Sequence, residues 1–375
     1  MLSQAENDIM TRIGAGTPAG EMLRRYWWPI QFSVHVKDKP VRVRLLGQDF
    51  ILFRDGKGQV GMLDLHCPHR LTSLEFGRVE AEGIRCCYHG WLFAADGTCL
   101  ETPAERPEST FKDRVRANAY EARDFGGFVF VYIGPKPAPV LPKYDVLCRE
   151  DGRRVIGCDE DYCNWLQKAE NGADLPHLPF LHAGVYPKMA MKTPLGYDYE
   201  DTAYGFKCIL KMPELPPRII HMVLPTHSRI STTPRIGVLP SHDMRFRVPI
   251  DDNLTFSFWM RFYPRADGVF EPETKGFTGK KPGIYPREQD AYWNIPSAEQ
   301  DRVAQETQGV VTDRTKEHLA ESDRGIVILR RKLRESIDAV AKGGDPLHVI
   351  RDLADDQPIK FEITLQEAAY VLPAE

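Results

Sequence analysis

Basic excess is missing from this chain. Its 49 Lys and Arg stand against 53 Asp and Glu, a formal net charge of −4, and no basic tract interrupts the mixture. A nucleic-acid or anionic-membrane partner is therefore not expected. Long apolar runs are missing too. The most apolar stretch, residues 125–133, is interrupted by Gly126 and Gly127 and is far shorter than the roughly 20 residues of a bilayer-crossing helix. The first residues, Met1-Leu2-Ser3-Gln4-Ala5-Glu6-Asn7-Asp8, carry neither a basic stretch nor an apolar core, so no secretory signal is read in them. The eight cysteines lack the spacing of a small disulfide scaffold. Such usage suits a reducing compartment where thiolates serve metals, and a cytoplasmic protein is expected. A dinucleotide fingerprint is absent as well. Gly14, Gly16 and Gly20 are wrongly spaced, no strand precedes them, and Pro18 suits a helix start.

What the chain does carry is Cys67-Pro68-His69, followed by Cys86-Cys87-Tyr88-His89-Gly90-Trp91. Each half offers one thiolate and one imidazole at the apex of a β-loop. Two thiolates facing two imidazoles suit either a tetrahedral zinc or a Rieske [2Fe–2S] cluster, in which two His replace two Cys on one iron. The mixed spacings, Cys-x-His and Cys-x2-His, favour the cluster, because zinc modules usually pair like with like. The plain alternative is four unrelated residues of a β-domain.

Ser3-Gln4-Ala5-Glu6 reads as a capping box opening a short helix, and Thr17-Pro18 opens a second that carries Met22, Leu23 and Tyr26 inward and stops at Pro29. From Val41 the apolar period becomes two: Val41, Val43 and Leu45 alternate with arginines, and turn signals follow at Asp55-Gly56, Asp96-Gly97 and Gly126-Gly127. These predict a small antiparallel β-domain with a core at about 28–135. Gly134-Pro135-Lys136-Pro137-Ala138-Pro139 reads as a stiff linker, so residues 1–140 form one expected domain and 141–375 the other. In the second, β-runs at 204–210, 218–224 and 255–262 predict a broad antiparallel sheet, 268–286 a Gly/Pro/Lys-rich loop, and 297–342 helices opened by Ser297 with Gln300 in capping-box register. The last helix carries an apolar stripe of Ile326, Leu329, Leu333, Ile337 and Val340.

A second constellation is Asp174-Leu175-Pro176-His177-Leu178-Pro179-Phe180-Leu181-His182. Histidines five apart sit about 140° apart on a regular helix. Pro176 and Pro179 prevent a regular helix, so the backbone can bring both imidazoles to one point. Two His and one carboxylate with open positions suit non-heme Fe(II). For the carboxylate, Asp323 at the margin of the apolar stripe is weakly preferred over Asp313, Glu317 and Glu321. Any two histidines are ordinarily bystanders, but an electron carrier in an enzyme-sized chain needs an acceptor.

These residues resemble the oxygenase (α) subunits of Rieske non-heme iron aromatic-ring-hydroxylating systems. Asp174 to His177 and His177 to His182 match the family's Asp-x2-His-x4-His, and Glu317 to Asp323 is similar to the segment that gives the iron its carboxylate. Thr11 to Pro18 and Arg24-Arg25-Tyr26-Trp27 are similar to the phthalate dioxygenase branch. The resemblance implies an α+β fold: an N-terminal antiparallel β Rieske domain, then a helix-grip catalytic domain with an antiparallel sheet and a long C-terminal helix. It implies that Cys67, His69, Cys86 and His89 hold the cluster and that His177, His182 and Asp323 hold the iron. Asp174 would link the cluster of one subunit to the iron of its neighbour in an α-only trimer or hexamer. Leu175 stands where phthalate dioxygenases usually carry a small hydroxyl residue, which argues against phthalate itself. Arg229, Arg235, Arg245 and Arg247 could meet a carboxylate, although most are expected on solvated strand faces.

The implied function is that of a terminal oxygenase. It takes electrons from a separate NAD(P)H-dependent reductase, with or without a ferredoxin, and uses O2 to dihydroxylate or monohydroxylate a small aromatic substrate. Oxidative O- or N-demethylation is the alternative. Rivals from other classes are a Rieske electron carrier without oxygenase activity and a zinc-stabilised binding module.

Overall fold

A computed structural model describes residues 2–232, 241–283, 285 and 295–362. The chain forms two units, Arg24–Pro139 and a larger one made of Met1–Leu23 with Val140–Glu375. The first 23 residues thus differ from the sequence reading, which grouped them with the β-domain. Their polar groups explain it. The Leu2 N–H donates to Arg314 O, Asn7 Nδ2 donates to Thr312 O, and the Ile13 N–H donates to the Asp252 carboxylate, all in the larger unit.

Ten strands build the smaller unit. They are β1 (Trp28–Phe32), β2 (Val41–Leu45), β3 (Gln48–Arg54), β4 (Val60–Asp64), β5 (Arg78–Glu80), β6 (Gly83–Arg85), β7 (Leu92–Phe93), β8 (Cys99–Glu101), β9 (Ala119–Phe125) and β10 (Phe128–Tyr132). One sheet has the order β1-β10-β9-β4-β3-β2 and a second runs β5-β6-β7-β8, all pairs antiparallel. Val43 and Leu45 are buried between exposed arginines, as the alternation requires. Ile51, Phe53, Leu63, Ile84 and Phe93 fill a core that also receives Cys67, Cys86 and Trp91.

In the larger unit α1 (Gln4–Thr11) opens with the expected capping box, in which Ser3 and Glu6 exchange hydrogen bonds. It is followed by α2 (Pro18–Leu23), α3 (Asp145–Cys148), α4 (Trp165–Ala173), α5 (His177–Leu181), α6 (Ser297–Glu306) and α7 (Arg324–Ala341). The strands are β11 (Gly152–Asp161), β12 (Gly196–Thr202), β13 (Gly205–Lys211), β14 (Arg218–Val223), β15 (His227–Thr232), β16 (Ser241–Asp251), β17 (Leu254–Pro264) and β18 (Glu271–Phe277). They form one sheet, β12-β13-β14-β15-β16-β17-β11-β18, antiparallel except for the parallel β11–β18 edge pair. The stripe of α7 buries Leu329, Leu333, Ile337 and Val340. A Cβ on Gly325 would lie 2.2 Å from Ala173 O, so only glycine lets the first turn of α7 approach the end of α4 this closely.

Two local expectations fail for physical reasons. Residues 271–277 are a strand rather than a loop: they pair only with β11, their Glu273 bonds Arg153, and an edge position tolerates Pro272. Residues 307–320 are not helical, and Ser297 is the first helical residue rather than a cap, with Pro296 before it.

Candidate metal centres

In the smaller unit two loops carry the first set of ligands. The loop after β4 closes through the Cys67 N–H to Thr72 O at 2.9 Å and the Leu71 N–H to Cys67 O at 2.9 Å. The loop between β6 and β7 closes through the Cys86 N–H to Trp91 O at 2.8 Å and the Gly90 N–H to Cys86 O at 3.1 Å. Gly90 has φ +74°, and a Cβ there would lie 2.9 Å from the Pro103 ring, so the second loop requires glycine. Arg85 Nη1 donates to Gly90 O at 2.7 Å and steadies that turn.

These loops bring the four residues together. The His69 and His89 rings lie 4.6 Å apart, and His69 stacks on Trp91 at 4.2 Å with an interplanar angle of 5°. Burial pushes the Cys67 thiol up to about 12, with the neighbouring Cys86 adding to it and the His69 N–H opposing it. Burial, then the charge of His69, lowers the His89 imidazole. Two imidazoles beside two buried cysteine sulfurs are the donor set that a Rieske cluster would take.

The second set sits in the larger unit. α4 starts at Asn164, whose side chain caps Leu166 N, and ends at Asp174. Pro176 then leads into α5, a helix of five residues in which Pro179 falls within the first turn, where no backbone donor is needed. His177 opens this helix and His182 lies just past its end at φ −99°, ψ 26°, off the helical path. The two rings lie 5.1 Å apart at 80°.

Their third partner is Asp301, on α6. Asp301 Oδ1 lies 3.7 Å from His177 Nε2 and 3.2 Å from His182 Nε2. Among the described residues, His177, His182 and Asp301 are the set whose ligand atoms all lie within 4.8 Å of one another. Two imidazole nitrogens and one carboxylate fit a non-heme iron with open positions. Asp323 does not join them. Its carboxylate turns back to accept from the Ala320 N–H at 2.7 Å, ahead of α7, so the sequence reading of Asp323 as the third ligand gives way to Asp301. Glu317 is engaged by Arg330.

The surroundings orient these ligands. Gln300 Oε1 lies 2.8 Å from His182 Nδ1 and orients the ring, whose Nε2 stands 3.2 Å from Asp301 Oδ1. The sequence reading made Gln300 a capping residue; its side chain is committed to His182 instead. His177 Nδ1 is buried and has no hydrogen-bond partner among the described residues, and Asp174 Oδ2 stands 3.7 Å away. Burial opposes charge on both His177 and Asp301. The nearby acids Asp174 and Asp301 nevertheless raise His177, while the His182 contact and the charges of His177 and Lys168 hold Asp301 below the usual carboxylate range. A site that draws positive charge this way suits a cation.

The expected substrate arginines part ways. Arg229 is buried and clasped by Asp145, Arg247 is buried and among the described residues pairs with no carboxylate, Arg245 is half-buried, and Arg235 lies outside the described residues. No helix of the described residues is long and apolar enough to cross a membrane.

Residues 26–120 match the Rieske [2Fe-2S] domain. The chain is 37% identical over 382 residues to the 5,5′-dehydrodivanillate O-demethylase oxygenase subunit of Sphingobium sp. (strain NBRC 103272 / SYK-6), covering 98% of this chain and 88% of that one. To the phthalate 4,5-dioxygenase oxygenase subunit of Pseudomonas putida it is 30% identical over 397 residues, covering 92% and 88%. Among solved structures, NdmA of Pseudomonas putida CBB5 with caffeine shares the fold at TM-score 0.71 and 19% identity, over 87% of this chain and 94% of that one. The paired Cys-His loops, the two-His-one-Asp cluster and these similarities together place the chain in the Rieske non-heme iron oxygenase family, as the oxygenase subunit of a multicomponent system.

Proposed function

We propose that His177, His182 and Asp301 hold the mononuclear iron, that Cys67, His69, Cys86 and His89 hold the [2Fe–2S] cluster, and that the enzyme hydroxylates a small aromatic substrate. The observation that carries this reading is the convergence of both Nε2 atoms on Asp301 Oδ1. When bound, the cluster supplies single electrons and the iron brings O2 and substrate together. The chain's residues do the holding and orienting. Gln300 orients His182, α5 and the residue just past its end present the two imidazoles, and Asp174 stands 3.7 Å from Nδ1 of His177.

Asp174 is the inter-subunit link between the cluster loops of one protomer and the histidines of the next. Its side chain is 30% exposed, so it can meet a neighbour. Apolar side chains support head-to-tail assembly into an α3 trimer or a hexamer: Leu71, Phe76 and Tyr88 stand exposed near the cluster loops, and Phe180 and Met191 near the histidines. Electrons come from a separate reductase, with or without a ferredoxin, in the cytoplasm.

A second reading, oxidative removal of an O-methyl group, is favoured by the 37% identity to a protein named as an O-demethylase oxygenase subunit. Product analysis separates the two: formaldehyde release marks demethylation, and a cis-diol marks dihydroxylation. Metal and sulfide analysis tests the ligand assignment itself. Iron at about three per chain with about two sulfides fits both centres, whereas iron and sulfide in equal number would leave only an electron carrier. Asp174→Ala is expected to keep both centres loaded and lose turnover; undiminished activity would remove the linking role.

A further inference from the structure

We infer that Trp91 is a positioning residue for the cluster: its indole holds the His69 imidazole in its ligand orientation and thereby lowers the potential at which the cluster takes an electron. The inference rests on the reading that Cys67, His69, Cys86 and His89 hold that cluster. The indole and imidazole rings lie flat on one another, 4.2 Å apart at 5°. A parallel contact of this kind fixes the plane of the imidazole as well as its place.

Other supports for that ring are lacking. Ligand histidines are ordinarily steadied by a hydrogen bond at the second ring nitrogen, the place that Gln300 takes at His182. Among the described residues, no group makes a hydrogen bond to either ring nitrogen of His69. His69 is exposed. Its other ring neighbour, His89 at 4.6 Å, is itself a ligand and leans on Tyr88, which is 55% exposed.

Trp91, by contrast, is held firmly. It is 4% exposed and packs in the core, 6.3 Å from the Phe93 ring and 5.8 Å from that of Phe111. Its carbonyl accepts the Cys86 N–H at 2.8 Å. The indole therefore belongs to the loop that carries Cys86 and His89, whereas its stacking partner belongs to the loop that carries Cys67. One contact ties the two loops together at the ligands themselves.

Charge sets the sign of the effect. Two ferric irons, two sulfides, two thiolates and two imidazoles sum to zero, and one added electron leaves a single negative charge. An apolar wall solvates that charge less well than water does, and the negative face of the indole opposes it. Trp91 thus favours the oxidised form, and its removal raises the potential.

The test is a spectroelectrochemical titration of the loaded oxygenase, read from the visible absorption of the cluster. Trp91→Leu is expected to raise the reduced-to-oxidised ratio about tenfold at a fixed applied potential, an upward shift of about 59 mV for one electron. Trp91→Phe keeps a ring under His69 and should shift less than half as far. Phe53→Leu, which thins the same core without altering the stack, should melt earlier with an unshifted potential. A Trp91→Leu protein at the wild-type potential or below it overturns the inference. So does an equal upward shift in Phe53→Leu, or a Trp91→Phe shift as large as that of Trp91→Leu. Should Trp91→Leu take up no cluster, Trp91→Met is read by the same criterion. Loss of the cluster in both, with retention in Trp91→Phe, supports the inference, and loss in all three overturns it. A wild type without acid-labile sulfide would instead defeat the cluster reading, which iron and sulfide analysis reveals before any variant is made.

Discussion

Asp301 was hidden in the sequence by the company it keeps. By pattern alone the third ligand is expected to be a carboxylate bordering an apolar stripe, as Asp323 borders that of α7. Asp301 lies on a helix whose buried residues are Gln300, Arg302, Gln305 and Glu306, so its inward face reads as a solvated one. A run of polar residues inside a folded unit is itself a sign of a site, but that is visible only once burial is known. The prolines were expected to exclude a regular helix; residues 177–181 are nevertheless helical, and the two rings meet because His182 falls off the end of this short α5. The structure makes the choice testable. Asp301→Ala is expected to leave about two irons per chain and to abolish turnover, whereas Asp323→Ala should retain about three, as read by metal analysis. Gln300→Leu, which removes the acceptor for His182 Nδ1, should weaken retention of the mononuclear iron by about 10–100-fold.

Between elements, the end of α4 is held by charge. Glu170 accepts from Arg314 at 2.8 Å and from Arg330 of α7 at 2.6 Å, Arg330 also binds Glu317, and Asn7 of α1 accepts from Arg314. Burial works against the Glu170 charge, but the two arginines outweigh it and hold its carboxyl below the ordinary 4.5. Removing the shared acid leaves two buried cations, so Glu170→Ala should destabilise the larger unit by about 3–5 kcal/mol in denaturant titrations. Because the folded state holds Glu170 ionised, its contribution is complete above 4.5 and fades as pH falls below that value. Little of this was readable in advance. The apolar stripe of α7 and the turns of the smaller unit followed from periodicity and glycine. β18, in contrast, pairs through one polar face at a sheet edge and leaves no alternating pattern.

Across the whole molecule, buried neutral histidines set the acid limit. Burial, reinforced for His242 by Arg229 and Arg149, lowers His242 to about 4, and burial lowers His348 to about 4, against an ordinary 6.5. Between 6.5 and 4 the unfolded chain holds these protons and the folded chain does not, so acid favours unfolding. Stability should fall by about 1.4 kcal/mol per pH unit for each histidine over that window. Denaturation midpoints at pH 7.5 and 5 measure the slope, and His348→Gln should flatten it.

The division of the chain into units has a consequence for how the protein is made. α1 bonds to residues as many as 307 positions later, while residues 24–139 form their own unit in between. During synthesis the cluster-bearing piece can therefore fold while still near the ribosome. The first helix must wait for its partners at Thr312 and Arg314, so α1 takes its place only after most of the larger unit has been made.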